Sequence, residues 1–516
     1  MTPDWAVHLP PPPEAGGRPV PPPAPGATLP QAWAARCDEA PDRPVLWEQQ
    51  RGWVRAGELD RATRRVAARF AAAGLRPGDR ILMSAGTSLE LVEAHIAALR
   101  LGLVVVPANT AYREREIAHL VHDAVPRAAV VDDPERAAWI RRARPDTLVV
   151  GPDVDLPTGA AAPGLDAAGP EDPAVIGYTS GTTGVPKGAV LSHGNLLASS
   201  ESVRIAWRWA ADDRLVLALP LFHIHGLGVG LHGTLLAGAS AVLLRRFDPD
   251  AVLDAAAAHD ATLFFGVPTM YARLAASPRR GELGRLRLCV SGSAPLPPAV
   301  FDQLADGSGQ RVLERYGMTE TGMNVSNPYD GERRPGTVGF PLPGLELRLA
   351  GNGEIELRGP NVFGGYWGRS EATAAAFTAD GWFRTGDVGE HDADGYLRLV
   401  GRARELIITG GLNVYPREVE DVLLEHPAVA EVAVAGVADA EWGEVVTAWV
   451  VPAPAAAPPV AAELAGFAAE RLARFKCPRR VVFVDALPRN ALGKILRHQL
   501  RTEAGSDVGG RPPSSD

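Results

Sequence analysis

One stretch of this chain concentrates groups able to hold a polyphosphate. In AVIGYTSGTTGVPKGAVLSHGN, residues 174–195, an apolar run ends at Tyr178, and the positions after it carry three glycines, four hydroxyl side chains and Lys187. Such a loop can turn backbone N–H groups and hydroxyls toward phosphate oxygens while the lysine adds charge. It is not a Walker loop, because Pro186 precedes Lys187 and Gly188 follows it, where that motif has Gly before and Ser or Thr after. The chain holds three lysines, Lys187, Lys476 and Lys494, against 49 arginines. Where a generic surface cation is wanted, this sequence carries arginine. A lysine inside a Gly-containing motif therefore points to work for a compact, mobile point charge. Lys187 and Lys494 meet that description, and Lys476 reads as a residue of composition.

Other candidates are weaker taken singly. His223 and His225 in PLFHIHGLG lie two apart, so on a strand both would face one way and a metal pair must be considered. No third ligand is near in sequence, which leaves His223 as a pocket wall and His225 as structural. GVGLHG, residues 228–233, is a literal GxGxxG with Asp248 about 20 residues on, the outline of a dinucleotide site. PLFHIHGL separates it from the preceding strand, so its glycines read as helix packing. No G-x-S-x-G elbow occurs, which argues against a serine hydrolase. Cys37, Cys289 and Cys477 lack the paired spacing of a zinc or dithiol site and suit a reducing cytoplasm.

These groups need elements to place them. The 516 residues, 46% apolar, suffice for more than one core, and a formal charge of −9 favours neither nucleic acid nor an anionic membrane. No run reaches the ~18 apolar residues of a membrane span, and the N-terminus lacks a signal pattern, so a soluble, cytoplasmic protein is expected. Residues 1–30 read as a Pro-rich leader. From 31 to 403, apolar β-branched runs (RILMSA, RLVLALP, ATLFFGVP) alternate with helical stretches (LELVEAHIAALRLG, TMYARLAAS). That alternation predicts an α/β fold of doubly wound subdomains, and the short strands near 345–400 predict an antiparallel β subdomain closing the large domain. From 404 to 502 a small, mobile α+β domain is expected: ELIIT a strand, GGLNVY a loop, PREVEDVLLEHP a helix with Pro416 in its first turn. Residues 503–516 read as a disordered tail.

The string YTSGTTGVPKG resembles the phosphate-loop signature of the adenylate-forming superfamily of acyl-CoA synthetases, peptide-synthetase adenylation domains and luciferases. The likeness recurs in order along almost the whole chain, in VSGSAPLP, ERYGMTE, GWFRTGDVG, GRARELIITGG and LPRNALGKILR. The resemblance implies that ATP, Mg²⁺ and coenzyme A are used to turn a carboxylic acid into an acyl-AMP and then a thioester. It implies that Thr179, Ser180, Gly181, Thr182, Thr183, Gly184 and Lys187 cradle the phosphates, with Thr183 and Glu320 serving the metal. Ser293, Ala294 and Pro295 would line the adenine under Tyr316, beside Glu314, Gly317 and Met318, and Thr319 would contact the α-phosphate. Asp387 would accept the ribose hydroxyls, aided by Arg402. Lys494 would bridge acid and α-phosphate, Arg404 would be the hinge, and Gly410 and Gly411 would line the pantetheine channel. Relatives often carry Asp or Lys at the hinge, so Arg404 departs from the pattern.

A wider likeness, through PLFHIHGL, FFGVPTMYARL, SNPYDGERRPGTVGFPLPG and ARFKCPRR, is to malonyl-CoA synthetases more than to medium- or long-chain enzymes. It implies malonate or methylmalonate as the acid, with Arg315 engaging the second carboxylate and His223 walling the pocket. Free CoA is the expected acceptor, with carrier-protein or polyketide enzymes downstream. The alternatives are another short, medium-chain or aryl acid, a stand-alone enzyme loading a carrier protein, or a binding protein that kept an ATP pocket without turnover.

Overall fold

The computed structural model describes residues 4–9, 26–159, 162, 164–179, 186–402, 405–409, 412–439, 442–453, 459–490, 493–497 and 499–501. The chain divides into two compact units, residues 1–347 with 357–383, and residues 348–356 with 384–516. The division places residues 384–402 with the C-terminal part of the chain. The 403/404 boundary and residues 503–516 lie outside the described residues.

In the first unit the alternating apolar runs become two sheets. One runs in the order Gly365–Tyr366, Lys187–Ser192, Pro173–Thr179, Val104–Pro107, Arg80–Ser84, Ala128–Val131, Leu148–Val150. Its strands from Pro173 to Val150 are parallel neighbours, while Lys187–Ser192 folds back antiparallel on Pro173–Thr179. The other places Leu313–Met318, Leu288–Ser291, Leu263–Gly266, Arg214–Leu217 and Ser240–Leu243 side by side in parallel. Strands such as Leu263–Gly266 and Leu288–Ser291 are buried along their whole length, as expected when helices cover both faces.

Helix starts follow the local code. Thr28 accepts from the Gln31 N–H at 3.5 Å while Gln31 Oε1 accepts from the Thr28 N–H at 2.9 Å, a capping box that begins Leu29–Glu39. The helix thus starts within the segment assigned to the leader, of which Asp4–His8 form a 3-10 turn. Ser88 caps Leu89–Arg100 through the Leu91 N–H at 3.2 Å.

Residues 223 and 225 do not lie on a strand. The preceding strand ends at Leu217, and His225–Leu231 is a π-helical turn leading into the helix His232–Ala237. Three glycines in HGLGVGL let this turn lie on the core. A Cβ on Gly230 would fall 2.6 Å from Leu217 Cδ1, and one on Gly233 would fall 2.5 Å from the Trp209 ring. The GxGxxG is therefore a packing motif within a helix, not a strand-to-helix turn.

Beneath this helix, His95 and His232 share an N–H···N bond at 2.9 Å, and their rings stack with centroids 5.2 Å apart. Trp33 lies against His232 at 5.2 Å. Burial holds both imidazoles neutral, His95 pushed down to about 3 and His232 also well below its usual value, the latter helped by neighbouring His95 and His193. The unfolded chain, with ordinary histidines near 6.5, binds more protons than the fold once the pH drops below that value. Stability should therefore hold above about pH 6.5 and fall below it, by up to about 1.4 kcal/mol per pH unit for His95. Urea midpoints at pH 7.5 and 5.5 will show this, with a shallower fall in His95→Met. An unchanged pH slope in that variant would place the acid sensitivity elsewhere.

In the second unit residues 387–391 of the strand Phe383–His391 pair antiparallel with Leu397–Arg402. Its further sheet has Ile407–Thr409, Gly443–Pro452 and Val429–Asp439 as neighbours, with Arg480–Phe483 parallel to Gly443–Pro452. Pro416 opens the helix Pro416–Leu424, whose Val419 and Leu423 are buried. Leu412–Val414, expected as loop, is a strand paired antiparallel with Ile407–Thr409. Its alternating Leu and Val suit that strand, a cue outweighed in the sequence by the adjacent glycines.

Candidate active site

Two hairpins bring the chemistry together. In the first, Pro173–Thr179 pairs with Lys187–Ser192 so that Thr179 stands opposite Lys187. The phosphate-loop residues Ser180, Gly181, Thr182, Thr183 and Gly184 between them lie outside the described residues. In the second, Leu313–Met318 turns into Gly322–Ser326, with Met318 opposite Gly322. Gly322 has φ +65°, the left-handed geometry that closes a three-residue loop. Thr319, Glu320 and Thr321 are therefore the tip.

The two tips meet. A side chain on Gly177 would occupy the place of the Thr319 methyl, so glycine there lets the second hairpin seat against the first. Thr179 Oγ1 lies 3.5 Å from Glu320 Oε1, and the Tyr366 hydroxyl donates to the same oxygen at 3.1 Å. Lys187 Nζ stands 5.2 Å from the centre of the Tyr366 ring. The structure thus brings Thr179, Lys187, Thr319 and the buried Glu320 together. Tyr366 joins them without having been foreseen; its signal was an aromatic behind a glycine pair in GGYWG. Gly365, at φ +146°, turns it in, and Tyr366 N donates to Thr373 Oγ1 at 2.9 Å.

Beside this lies the loop 292–297, following the strand Leu288–Ser291. Glu314 Oε1 accepts from the Leu296 N–H at 3.0 Å, so this carboxylate fastens the loop that carries Ser293, Ala294 and Pro295. Tyr316 is buried with its hydroxyl 3.7 Å from Met318 Sδ. Gly317 must lack a side chain, since a Cβ would run into the backbone carbonyl oxygen of Gly322.

The third group surrounds Arg315, which is only 3% exposed. Its Nε and Nη2 are buried and have no hydrogen-bond partner among the described residues. Burial pushes the guanidinium down to about 9, so it remains charged at neutral pH. Its charge acts on His223 and His225, both lowered chiefly by burial and then by Arg315, His223 to about 4. His223 Nδ1 accepts from the His225 N–H at 3.2 Å, and His225 Nδ1 lies 3.4 Å from Ser293 Oγ. The structure thus places Arg315, His223, His225 and the start of the 292–297 loop together around one buried positive charge. Arg315 does not donate to Glu314, whose Oε1 accepts from the Leu296 N–H instead.

In the second unit, Asp387 stands opposite Arg402 across two strands, and Arg402 Nε is 3.0 Å from Asp387 Oδ1. Lys494 sits at the end of a tight turn. Gly493 adopts φ +76°, Asn490 N donates to Lys494 O, and Lys494 N donates to Asn490 Oδ1, each at 2.9 Å. Arginines brace both flanks: Arg489 Nη2 to Glu431 and Arg497 Nη2 to Glu420, each at 2.6 Å. Arg404, Gly410 and Gly411 lie outside the described residues.

Among the described residues no group of three His, Cys, Asp or Glu could hold a metal. Glu320 is a buried carboxylate beside the Thr179 and Tyr366 hydroxyls. That donor set fits Mg²⁺ arriving on a polyphosphate, which takes one or two carboxylates with phosphates and waters, rather than an all-protein cage.

Comparison with known proteins gives this arrangement a setting. Residues 33–367 match the model of the AMP-binding enzyme family, and residues 418–494 match that of the AMP-binding enzyme C-terminal domain. A feruloyl-CoA synthase from an Amycolatopsis species is 39% identical over 462 residues, covering 87% of this chain and 93% of the relative. The crystal structure of ATP-bound MatB from Rhodopseudomonas palustris superposes with a TM-score of 0.86 at 41% identity, over 94% of this chain and 99% of that one. A malonyl-CoA ligase complex with methylmalonyl-CoA and AMP gives a TM-score of 0.64 at 44% identity, over 87% and 97%.

Proposed function

As a member of the AMP-binding enzyme family this chain is an AMP-forming acid–CoA ligase, and we propose that the acid it activates is malonate, with methylmalonate a second substrate. The observation that carries the reading is Arg315: a charged guanidinium, almost wholly buried, with two donor nitrogens lacking partners among the described residues. A buried unpaired charge costs several kcal/mol, so a pocket that keeps one is built to receive an anion. The second carboxylate of malonate supplies that anion, and a planar guanidinium can meet it with two charge-assisted bonds. An aryl acid such as ferulate, the substrate named for one relative, brings no second charge and would leave both donors unpaired. Neutral His223 and His225 add walls without adding charge.

In the first half-reaction the reacting carboxylate attacks the α-phosphorus of ATP and pyrophosphate leaves. Thr179 and Lys187, with the loop between them, would hold the departing phosphates, and Thr319 the α-phosphate. Mg²⁺ beside Glu320 would neutralise charge on the phosphate oxygens. Ser293, Ala294, Pro295 and Tyr316 would receive the adenine, with Glu314 fixing their loop, and Asp387 with Arg402 the ribose. Lys494 relieves the repulsion between carboxylate and phosphate as they close. In the second half-reaction the CoA thiol attacks the acyl carbonyl and AMP leaves. We assign the pivot between the two to Arg404 and the thiol passage to Gly410 and Gly411, with free CoA as acceptor and the cytoplasm as setting.

The test is a panel of malonate, methylmalonate, acetate, butyrate, octanoate and benzoate, scored for ATP-dependent pyrophosphate release and for acyl-CoA. Malonate should give the highest kcat/KM, methylmalonate the next, and the monoacids at least about 100-fold less, as expected when a site's buried polar groups go unpaired. A preference for octanoate or benzoate would overturn the malonate reading and leave the ligase assignment standing. Loading of a carrier protein without any acyl-CoA would overturn the choice of acceptor.

A further inference from the structure

We infer that Gly292 is a specificity-determining residue, because the absence of a side chain there gives the Arg315 guanidinium its place in the acid pocket. This rests on the reading of Arg315 as partner of a second carboxylate. Glycine is not needed at 292 for its backbone, since the left-handed conformation in this turn belongs to the next residue, Ser293, at φ +72°. What position 292 requires is space. A Cβ there would lie 2.5 Å from Arg315 Nε and 2.6 Å from Nη1, and the three heavy atoms nearest to it all belong to this guanidinium.

The backbone cannot yield easily. Gly292 N donates to Gly266 O at 3.3 Å, and the adjoining Ser291 is in register with Glu314 on the strand that carries Arg315. The guanidinium is the free end of a flexible side chain, so it is the group that must move. An alanine at 292 would thus leave the sheet intact and push Arg315 out of the position where its Nε and Nη2 await an anion. A single added methyl group would thereby change which acids are accepted.

The experiment uses the full-length chain, Gly292→Ala, Arg315→Leu and the double variant, with kcat/KM for malonate and butyrate and an acid-free unfolding midpoint. Gly292→Ala should cut malonate kcat/KM by at least about tenfold, mainly through KM, and change butyrate by no more than about threefold. In the Arg315→Leu background the same substitution should have no further effect on malonate. Equal loss on both acids, or an undiminished loss without Arg315, would overturn the inference. The unfolding midpoint separates this outcome from failure of the malonate reading. Whichever acid the enzyme prefers, Gly292→Ala should lower the midpoint when Arg315 is present and spare it when Arg315 is absent. Equal lowering in both backgrounds would show that glycine serves the backbone and not the guanidinium.

Discussion

Lys494→Ala should lower acid-dependent pyrophosphate release by about a thousandfold while thioester formation from pre-made acyl-AMP stays within about threefold. The expectation follows from charge. Bringing a carboxylate onto an already anionic α-phosphate concentrates negative charge in the transition state, and a preorganised ammonium there is worth several kcal/mol. In the second half-reaction the attacking thiol meets a carbonyl and AMP departs, so the ammonium has no comparable task. The chain is built to hold this lysine steadily. The Asn490–Lys494 turn is closed by two hydrogen bonds of 2.9 Å, and Arg489 and Arg497 tie its flanks to Glu431 and Glu420. Lys494→Arg should restore little, because a planar guanidinium does not substitute for a compact ammonium. That would account for a lysine surviving where the rest of the chain uses arginine. Lys476→Ala provides the control, since its ammonium pairs with Glu418 and should leave both half-reactions intact. Equal loss of both half-reactions in Lys494→Ala would argue against a lysine that serves only the first.

Arg315→Leu should cost malonate about 100- to 1,000-fold in kcat/KM, and methylmalonate a similar factor, while butyrate holds or improves. Leucine leaves the second carboxylate buried without a cation, and an unpaired buried charge costs several kcal/mol. Monoacids lose nothing, because they never engaged the guanidinium. The variant also removes a charge that is itself unpaired in a buried position, so its unfolding midpoint should not fall below wild type and its ATP affinity should be unchanged. Steady-state kinetics on the same acid panel decide the matter. Retention of full malonate activity would remove Arg315 from substrate recognition, and a drop shared by all acids would move its role to the nucleotide side.

What could be read from the residues alone was considerable, and the reasons are local. The alternation of apolar strands and helical runs reports side-chain burial at periods of two and 3.6, which a few consecutive residues express by themselves. The parallel sheets and the helix opened by Pro416 followed from it. Scarcity of lysine singled out Lys187 and Lys494 without any fold, and six motifs in order pointed to the AMP-binding enzyme family that residues 33–367 and 418–494 match. Where local signals competed, the sequence misled. Glycines beside Leu412–Val414 hid a strand.

The tertiary structure alone decided everything that depends on partners distant in sequence. Tyr366 reaches Glu320 from 46 positions away, and Thr179 reaches it from 141. Glu314 looks like a partner for its neighbour Arg315, but strand geometry sends adjacent side chains to opposite faces, and Glu314 meets Leu296 instead. Arg315 is left buried over Gly292 with two unpaired donors. Residue type and spacing can announce a cation. Whether it is solvated, paired or held open for an anion is set by which backbone and which side chains fold around it, because the cost of an unpaired charge depends on its surroundings.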